Sequence, residues 1–228
     1  MLTESREQLR WMAKEILTRH LRNRVHHRAV RAGVQVDDSV VERLCLYVHL
    51  LMRWNSRINL TGLDDNDVGI DRLIVEPLLV SQFLTPQGSL VDIGSGGGSP
   101  AIPLKIAVPE LALRMVEPKT RKAAFLREAV RQLGLTKTAV ETARYQQLMA
   151  RLELHEAHDV MTVRAVSIEP KALRVLQTFL VPGGKMLLFR SSDGDDISTD
   201  LEAPLVWEAK IPLLEGLRSC LVVLRKLS

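Results

Sequence analysis

Apolar residues recur at helical spacing over residues 38–54, where Val40, Val41, Leu44, Tyr47, Val48 and Leu51 fall at i, i+3 and i+4 intervals. Asp37, Asp38 or Ser39 can cap the start of that helix. A second amphipathic stretch runs over 68–84, with Pro77 near its middle as a start or a kink. The first 85 or so residues therefore read as helical. After Gly88 the pattern changes. Ser89-Leu90-Val91-Asp92-Ile93 is a short apolar run that ends in a glycine cluster, the signature of a buried parallel strand. Further strand patterns fall at 111–117, 138–143, 158–166, 184–190, about 204–212 and 217–226. Helix patterns fall between them at 100–107, 119–133, 145–153 and 168–180, with Gly134 and Gly183–Gly184 as stops. Such alternation predicts an α/β fold with a mainly parallel sheet of seven strands covered on both faces. Only Leu213–Gly216 separates the last two strands, too little for a crossover helix, so they should close the sheet as an antiparallel hairpin. The polar run Ser191–Asp200 is the best candidate for a mobile loop. The expected organisation is an N-terminal helical segment over 1–85 and an α/β domain over 86–228.

Composition narrows the class. The chain has 228 residues, 46% hydrophobic and 25% charged, as soluble globular domains do. It holds no apolar run of the length that spans a bilayer, and Glu4, Arg6, Glu7 and Arg10 break any secretory pattern at the start. Two distant cysteines, Cys45 and Cys220, make neither a CxxC pair nor a metal-ligand spacing, so buried thiols in a reducing cytoplasm are expected and no metal is. The net charge is +4. Arg19, Arg22, Arg24, Arg28 and Arg31, with His20, His26 and His27, form a stretch free of acids. That stretch reads equally as a phosphate-binding patch or as a solvated basic helix face.

The chemistry concentrates at Asp92-Ile93-Gly94-Ser95-Gly96-Gly97-Gly98-Ser99-Pro100, where a strand feeds a glycine turn and then a helix start. Glycines admit positive φ and close approach of a ligand to the main chain. A dinucleotide site wants G-x-G-x-x-G with the pyrophosphate on a helix N-terminus. Here the spacing is G-x-G-x-G, with Ser99 in the place of the third fingerprint glycine. Asp92 would repel a pyrophosphate, yet it suits the cationic amino-acid end of S-adenosylmethionine. Glu117, at the end of the next strand, can accept hydrogen bonds from ribose hydroxyls of either cofactor.

These motifs together resemble the RsmG (GidB) family of guanine-N7 methyltransferases that act on small-subunit ribosomal RNA. Leu51-Met52-Arg53-Trp54-Asn55-Ser56-Arg57-Ile58-Asn59-Leu60-Thr61 is similar to the family's W-N-x-x-x-N-L-T segment, and Asp92 through Pro103 to its D-x-G-S-G-x-G-x-P-x-x-P loop. Arg121-Lys122-Ala123-Ala124-Phe125-Leu126 resembles its K-K-x-x-F-L helix, and Val163-Arg164-Ala165-Val166 its S-R-A strand. The resemblance implies a Rossmann-like class I methyltransferase domain, S-adenosylmethionine as cofactor and small-subunit ribosomal RNA or its ribonucleoprotein as substrate for a monomeric enzyme. It implies that Gly94, Gly96, Gly98 and Ser99 lie against the cofactor with Asp92, that Glu117 holds the ribose, and that Tyr145 and Gln146 border the adenine. It also implies that Arg164 serves both cofactor and substrate at the cleft. The chain departs from the family at Leu73, Glu76 and Pro77, where R-H-I-x-D-S is usual, and at Ser99, Ala101 and Arg190-Ser191.

Guanine N7 carries a free lone pair, so its methylation asks for alignment rather than a base. No N-P-P-Y segment or Pro-Cys loop of the kind used for amines or pyrimidine carbon is present. Trp54 is a candidate for stacking on a flipped base, with a core role as the alternative. A Rossmann-like methyltransferase for a small molecule or another RNA, a nicotinamide dehydrogenase, and a non-catalytic RNA-binding protein remain as rival readings.

Overall fold

A computed structural model of the chain describes residues 18–165, 170–193 and 201–227. The helices are α1 (18–31), α2 (Asp38–Ile58), α3 (Asp67–Ile70), α4 (Glu76–Val80), α5 (Ala101–Ala107), α6 (Thr120–Gln132), α7 (Tyr145–Leu148) and α8 (Pro170–Leu176). The strands are β1 (Ser89–Ile93), β2 (Ala112–Val116), β3 (Thr138–Glu141), β4 (His158–Arg164), β5 (Leu180–Ser191), β6 (Leu205–Pro212) and β7 (Ser219–Lys226). Among the described residues no helix is long and apolar enough to cross a membrane. The secretory reading of the first residues lies outside the described residues, as does most of the loop expected at Ser191–Asp200.

The strands form one sheet in the order β3-β2-β1-β4-β5-β7-β6. All pairings from β3 to β5 are parallel, and β7 runs antiparallel to both β5 and β6. The period of two along each strand feeds two cores. On β5, Leu187 and Phe189 point to the helical face with α1, α2, α5 and α6, while Met186 and Leu188 point to the face of α8. On β1 and β4 the first of these faces receives Leu90 and Val160 and then, toward the strand ends, the register partners Asp92 and Thr162. The same core takes in Leu21, Val25, Tyr47 and Leu51 together with Leu113, Phe125 and Leu126, so the N-terminal helices pack directly on the α/β layer.

Two expectations change. The helix over 145–153 stops at Leu148 and gives way to a 3-10 turn at Leu152–Leu154. Leu148 and Leu154 are both buried in one core, and six residues of continuous α-helix would turn them to different sides, so the break lets both pack. Gly183–Gly184 do not stop a helix. They sit inside β5, which starts at Leu180, opposite an irregularity between His158 and Val160. A Cβ on Gly184 would come within 2.9 Å of Val181 O and 3.0 Å of Asp159 O.

The stretch around Pro77 is helical but changes register. α3 passes into a π-turn at Asp71–Val75 before α4 begins. Glu76 N–H bonds to Asp71 O, five residues back, which leaves Arg72 O without its usual donor. Pro77 has no N–H for Leu73 O. Both freed carbonyls find side chains: Arg164 Nη1 donates to Arg72 O at 2.6 Å, and Ser99 Oγ to Leu73 O at 2.9 Å.

The basic stretch of α1 faces the acids that lead into this turn. Arg24 pairs with Asp65 at 3.0 Å and Asp67 at 3.1 Å, and Arg28 with Asp67 at 2.8 Å. Arg28 also grips both oxygens of Asp71, whose side chain is 7% exposed. Arg22 reaches Glu42 at 3.3 Å. These pairs raise the Arg28 pKa, the Asp71 bond foremost. Three of the five arginines thus dock α1 on the protein itself, which fits neither sequence reading of that stretch. Arg28→Ala should lower stability by about 2 kcal/mol, the scale for a bidentate bond to a buried carboxylate. Urea unfolding with an unchanged m-value checks this, and a loss under about 0.5 kcal/mol would return Arg28 to the surface class.

Candidate active site

A cleft of about 740 Å³ opens at the carboxyl ends of β1, β2 and β4. The strand order reverses between β1 and β4, the place where open α/β sheets hold ligands. The glycine turn forms its floor. Gly94, Gly96 and Gly98 have φ of 76°, 51° and 88°, values that side chains other than glycine strain to adopt. Gly94 N–H and Ser95 N–H both bond to Val116 O, at 2.8 and 3.1 Å. Gly96 N–H donates to Glu117 Oε2 at 2.9 Å, and Lys119 N–H to Oε1 of the same carboxylate at 2.8 Å. Glu117 is thereby fixed at the rim of the cleft, each oxygen keeping a lone pair for a further donor.

The N-terminal helices hold the turn from behind. Tyr47 is fully buried on α2 and donates its hydroxyl to Gly97 O at 2.7 Å. A Cβ on Gly97 would stand 3.0 Å from Leu51 Cδ1, and one on Gly98 would stand 2.5 Å from Ile102 Cδ1. α2 ends at Asn59 in the left-handed region, and Asn55 Oδ1 accepts from Leu60 N–H at 2.7 Å and Thr61 N–H at 2.9 Å. This clamp turns residues 60–63 into one wall of the cleft.

Beneath the floor lies a polar row. Asp92, 1% exposed, takes the Thr162 hydroxyl on Oδ1 at 2.6 Å, while its Oδ2 has no hydrogen-bond partner among the described residues. Burial pushes its pKa up to about 6, against hydrogen bonds and the Arg164 charge that lower it. Arg164 continues the row. Its Nη2 pairs with Glu76 Oε2 at 2.5 Å, and its guanidinium sits 5.1 Å over the Phe189 ring. Glu76 is 1% exposed and also accepts from Ser219 Oγ at 2.6 Å. Burial pulls the Arg164 pKa down and the Glu76 carboxylate opposes that.

Of the residues singled out in the sequence, Gly94, Gly96, Ser99, Glu117, Tyr145, Gln146 and Arg164 line this one cleft. Asp92 and Gly98 lie behind it, Asp92 in the polar row and Gly98 against Ile102. Arg164 faces the cleft with its terminal nitrogens already engaged by Arg72 O and Glu76. Trp54 is half-buried, tilted on Phe125 at 5.8 Å and packed on the core, the alternative role considered for it. Sequence reasoning missed Arg72, Lys119 and Lys122, which bring cations to the cleft, and the positioning roles of Tyr47 and Glu76. The Asn55–Thr61 motif signalled the wall without saying what it walls.

The loop N–H groups that would cradle a pyrophosphate are spent on Val116 O and Glu117, and a carboxylate stands at the rim. A ligand with hydroxyl donors fits that carboxylate, and the Asp92 carboxylate lies behind the floor such a ligand would cover. The pattern of the family described as rRNA small subunit methyltransferase G matches residues 40–212. The chain is 34% identical over 200 residues to ribosomal RNA small subunit methyltransferase G of Dichelobacter nodosus, covering 87% of this chain and 92% of that one. The protein of the same name from Stenotrophomonas maltophilia strain K279a is 34% identical over 198 residues, covering 84% and 90%. A SAM dependent methyltransferase structure from Aquifex aeolicus has a similar fold, with a TM-score of 0.51 at 14% identity over 69% of this chain and 92% of that one.

Asp92 gives the apo protein a pH signature. An unfolded aspartate titrates near about pH 3.9 and the folded one near about 6, so folding takes up a proton between those values. Its contribution is most favourable below the unfolded pKa and declines as pH rises through the folded one. Asp92→Asn should therefore gain stability relative to the parent as pH increases from about 4 to 7. Urea unfolding across that range checks it, and a difference independent of pH would mean that Asp92 does not titrate there.

Proposed function

Because the chain belongs to the rRNA small subunit methyltransferase G family, we propose that it transfers a methyl group from S-adenosylmethionine to N7 of a guanine in 16S ribosomal RNA. The observation that carries the cofactor reading is Glu117, held by Gly96 N–H and Lys119 N–H at the rim of the cleft with lone pairs to spare. In this reading Glu117 takes the ribose hydroxyls, Gly94, Gly96 and Ser99 border the cofactor, and Tyr145 and Gln146 flank its adenine. Asp92, one oxygen unpartnered, supplies negative charge beneath the cationic end. Gly98 keeps the loop pressed on α5 so that the floor is flat enough for this contact.

Bound there, S-adenosylmethionine supplies an electrophilic methyl group. The protein's own task is alignment and exclusion of water, since the N7 lone pair attacks without losing a proton. The cleft suits that task. Its titratable lining consists of arginines, lysines, a tyrosine and one carboxylate already fixed by two N–H donors, among the described residues. Arg164, locked by Glu76, presents its remaining N–H groups at fixed positions for the guanine O6 beside N7. The reading takes the protein to act as a monomer in the cytoplasm, on ribosomal RNA or its ribonucleoprotein.

Calorimetry should detect S-adenosylhomocysteine binding, weakened by about 1–3 kcal/mol in Glu117→Ala through loss of the bonds to a carboxylate. Primer extension after N7-specific cleavage should find a methylated guanine in 16S RNA incubated with the protein and cofactor. Folded protein that gives no heat with the ligand would sink the cofactor assignment. Methyl incorporation into RNA without an N7 cleavage site would sink the position.

A further inference from the structure

A second cavity of about 210 Å³ adjoins the cleft and shares Arg72, Arg164 and Ala165 with it. Among the described residues its charged walls are Arg72, Arg164, Arg190 and Arg218 against the single carboxylate of Glu76. Arg164 and Glu76 neutralise each other, which leaves three guanidinium groups around one small space. Arg190 lies on β5, one residue before its end, half-buried, with no ion pair among the described residues. Among the described residues Arg218 reaches only Asp193, at 3.3 Å, with both side chains largely exposed, a pairing of little strength. Arg72 keeps a buried Nε with no acceptor, and its Nη2 makes one long bond of 3.3 Å to Leu217 O.

Three converging cations with unfilled donors repel one another unless an anion joins them. A guanine edge offers acceptors enough for one guanidinium, whereas the non-bridging oxygens of a phosphodiester accept from several, in the geometry guanidinium groups favour. Resting on the methyltransferase reading above, we infer that this cavity holds an RNA backbone phosphate next to the target guanosine. Arg72, Arg190 and Arg218 grip it, and the attached base enters the methyl-donor cleft past Arg164 and Ala165. Arg164 stays outside this grip, since each terminal nitrogen spends one N–H on Arg72 O or Glu76 and the remaining ones face the guanine edge. The basic stretch of α1 does not compete for this role at Arg22, Arg24 or Arg28, which are paired with acids of the chain.

The test is the double variant Arg190→Gln/Arg218→Gln, in which neither residue supports the core. Methyl transfer to 16S RNA is measured across a salt series, with S-adenosylhomocysteine calorimetry alongside. The KM for RNA should rise at least about tenfold with kcat little changed, and the salt dependence of kcat/KM should flatten by about one to two units of slope, the usual share of two cations. Cofactor affinity should stay as in the parent. Arg190→Lys should recover part of the loss, since it keeps the charge without the planar fork. An unchanged KM and slope, or a fall in kcat alone, would overturn the phosphate site while leaving the methyltransferase reading intact. Failure of the parent protein to bind S-adenosylhomocysteine would overturn that reading and this one with it.

Discussion

Pro77 cannot donate a hydrogen bond, and much of the site follows from that. The π-turn that precedes it moves the Glu76 N–H onto Asp71 O and leaves the adjacent carbonyls of Arg72 and Leu73 without helical donors. Buried carbonyls need partners. One is met by Arg164 at the end of β4 and the other by Ser99 in the glycine turn. A single irregularity in the helical segment thus reaches both walls of the cleft. It fixes the spacing between a strand end and a loop that are far apart in the chain.

The buried pair of Glu76 and Arg164 belongs to the same device. Removing two charges from water costs several kcal/mol, and their attraction offsets that only with good geometry and further hydrogen bonds. Both conditions hold, since Ser219 serves the second carboxylate oxygen and Arg72 O the second guanidinium terminus. The gain lies in position more than in stability. Arg28 extends the support outward by holding Asp71, the first residue of the π-turn, so the line from α1 to the cleft is continuous. A basic helix that looks built for RNA is here a strut for the residues that shape the site.

The α/β class and all seven strands were legible because short apolar runs alternating with helical spacing are local signals, whereas Gly183–Gly184, read as a helix stop, lie inside β5. Legible too was the glycine turn, whose spacing and neighbours differ from those of a dinucleotide site. The π-turn was not. Glu76 and Pro77 stand out in sequence as departures from a family pattern, and only the fold shows that the acid meets Arg164 across 88 residues of chain. Long-range charge pairing hid the α1 arginines in the same way, because the acids at 65–71 sit some forty residues away. Asp92 was legible as an anion near the turn, but its depth was not. Alternation along β1 puts it on the inner face, under the loop rather than in the open cleft.

The selection of cofactor class is decided less by the glycines than by what their N–H groups do. The same strand, turn and helix serve pyrophosphates when the turn's N–H groups point free toward the ligand. Here β2 runs close enough for Val116 O to take two of them, and Glu117 takes a third. The turn's electropositive character is cancelled internally, and a carboxylate is added where a phosphate would need a donor. Below it the uncompensated Asp92 oxygen adds further negative potential in a dry environment, where such charge acts over distance with little screening. The turn therefore offers no phosphate cradle, and the cations that line the cleft belong to its walls, at Arg72, Lys119, Lys122, Arg144 and Arg164. What separates this turn from a phosphate cradle is therefore the set of carbonyl and carboxylate contacts that its N–H groups make, more than the presence of glycine.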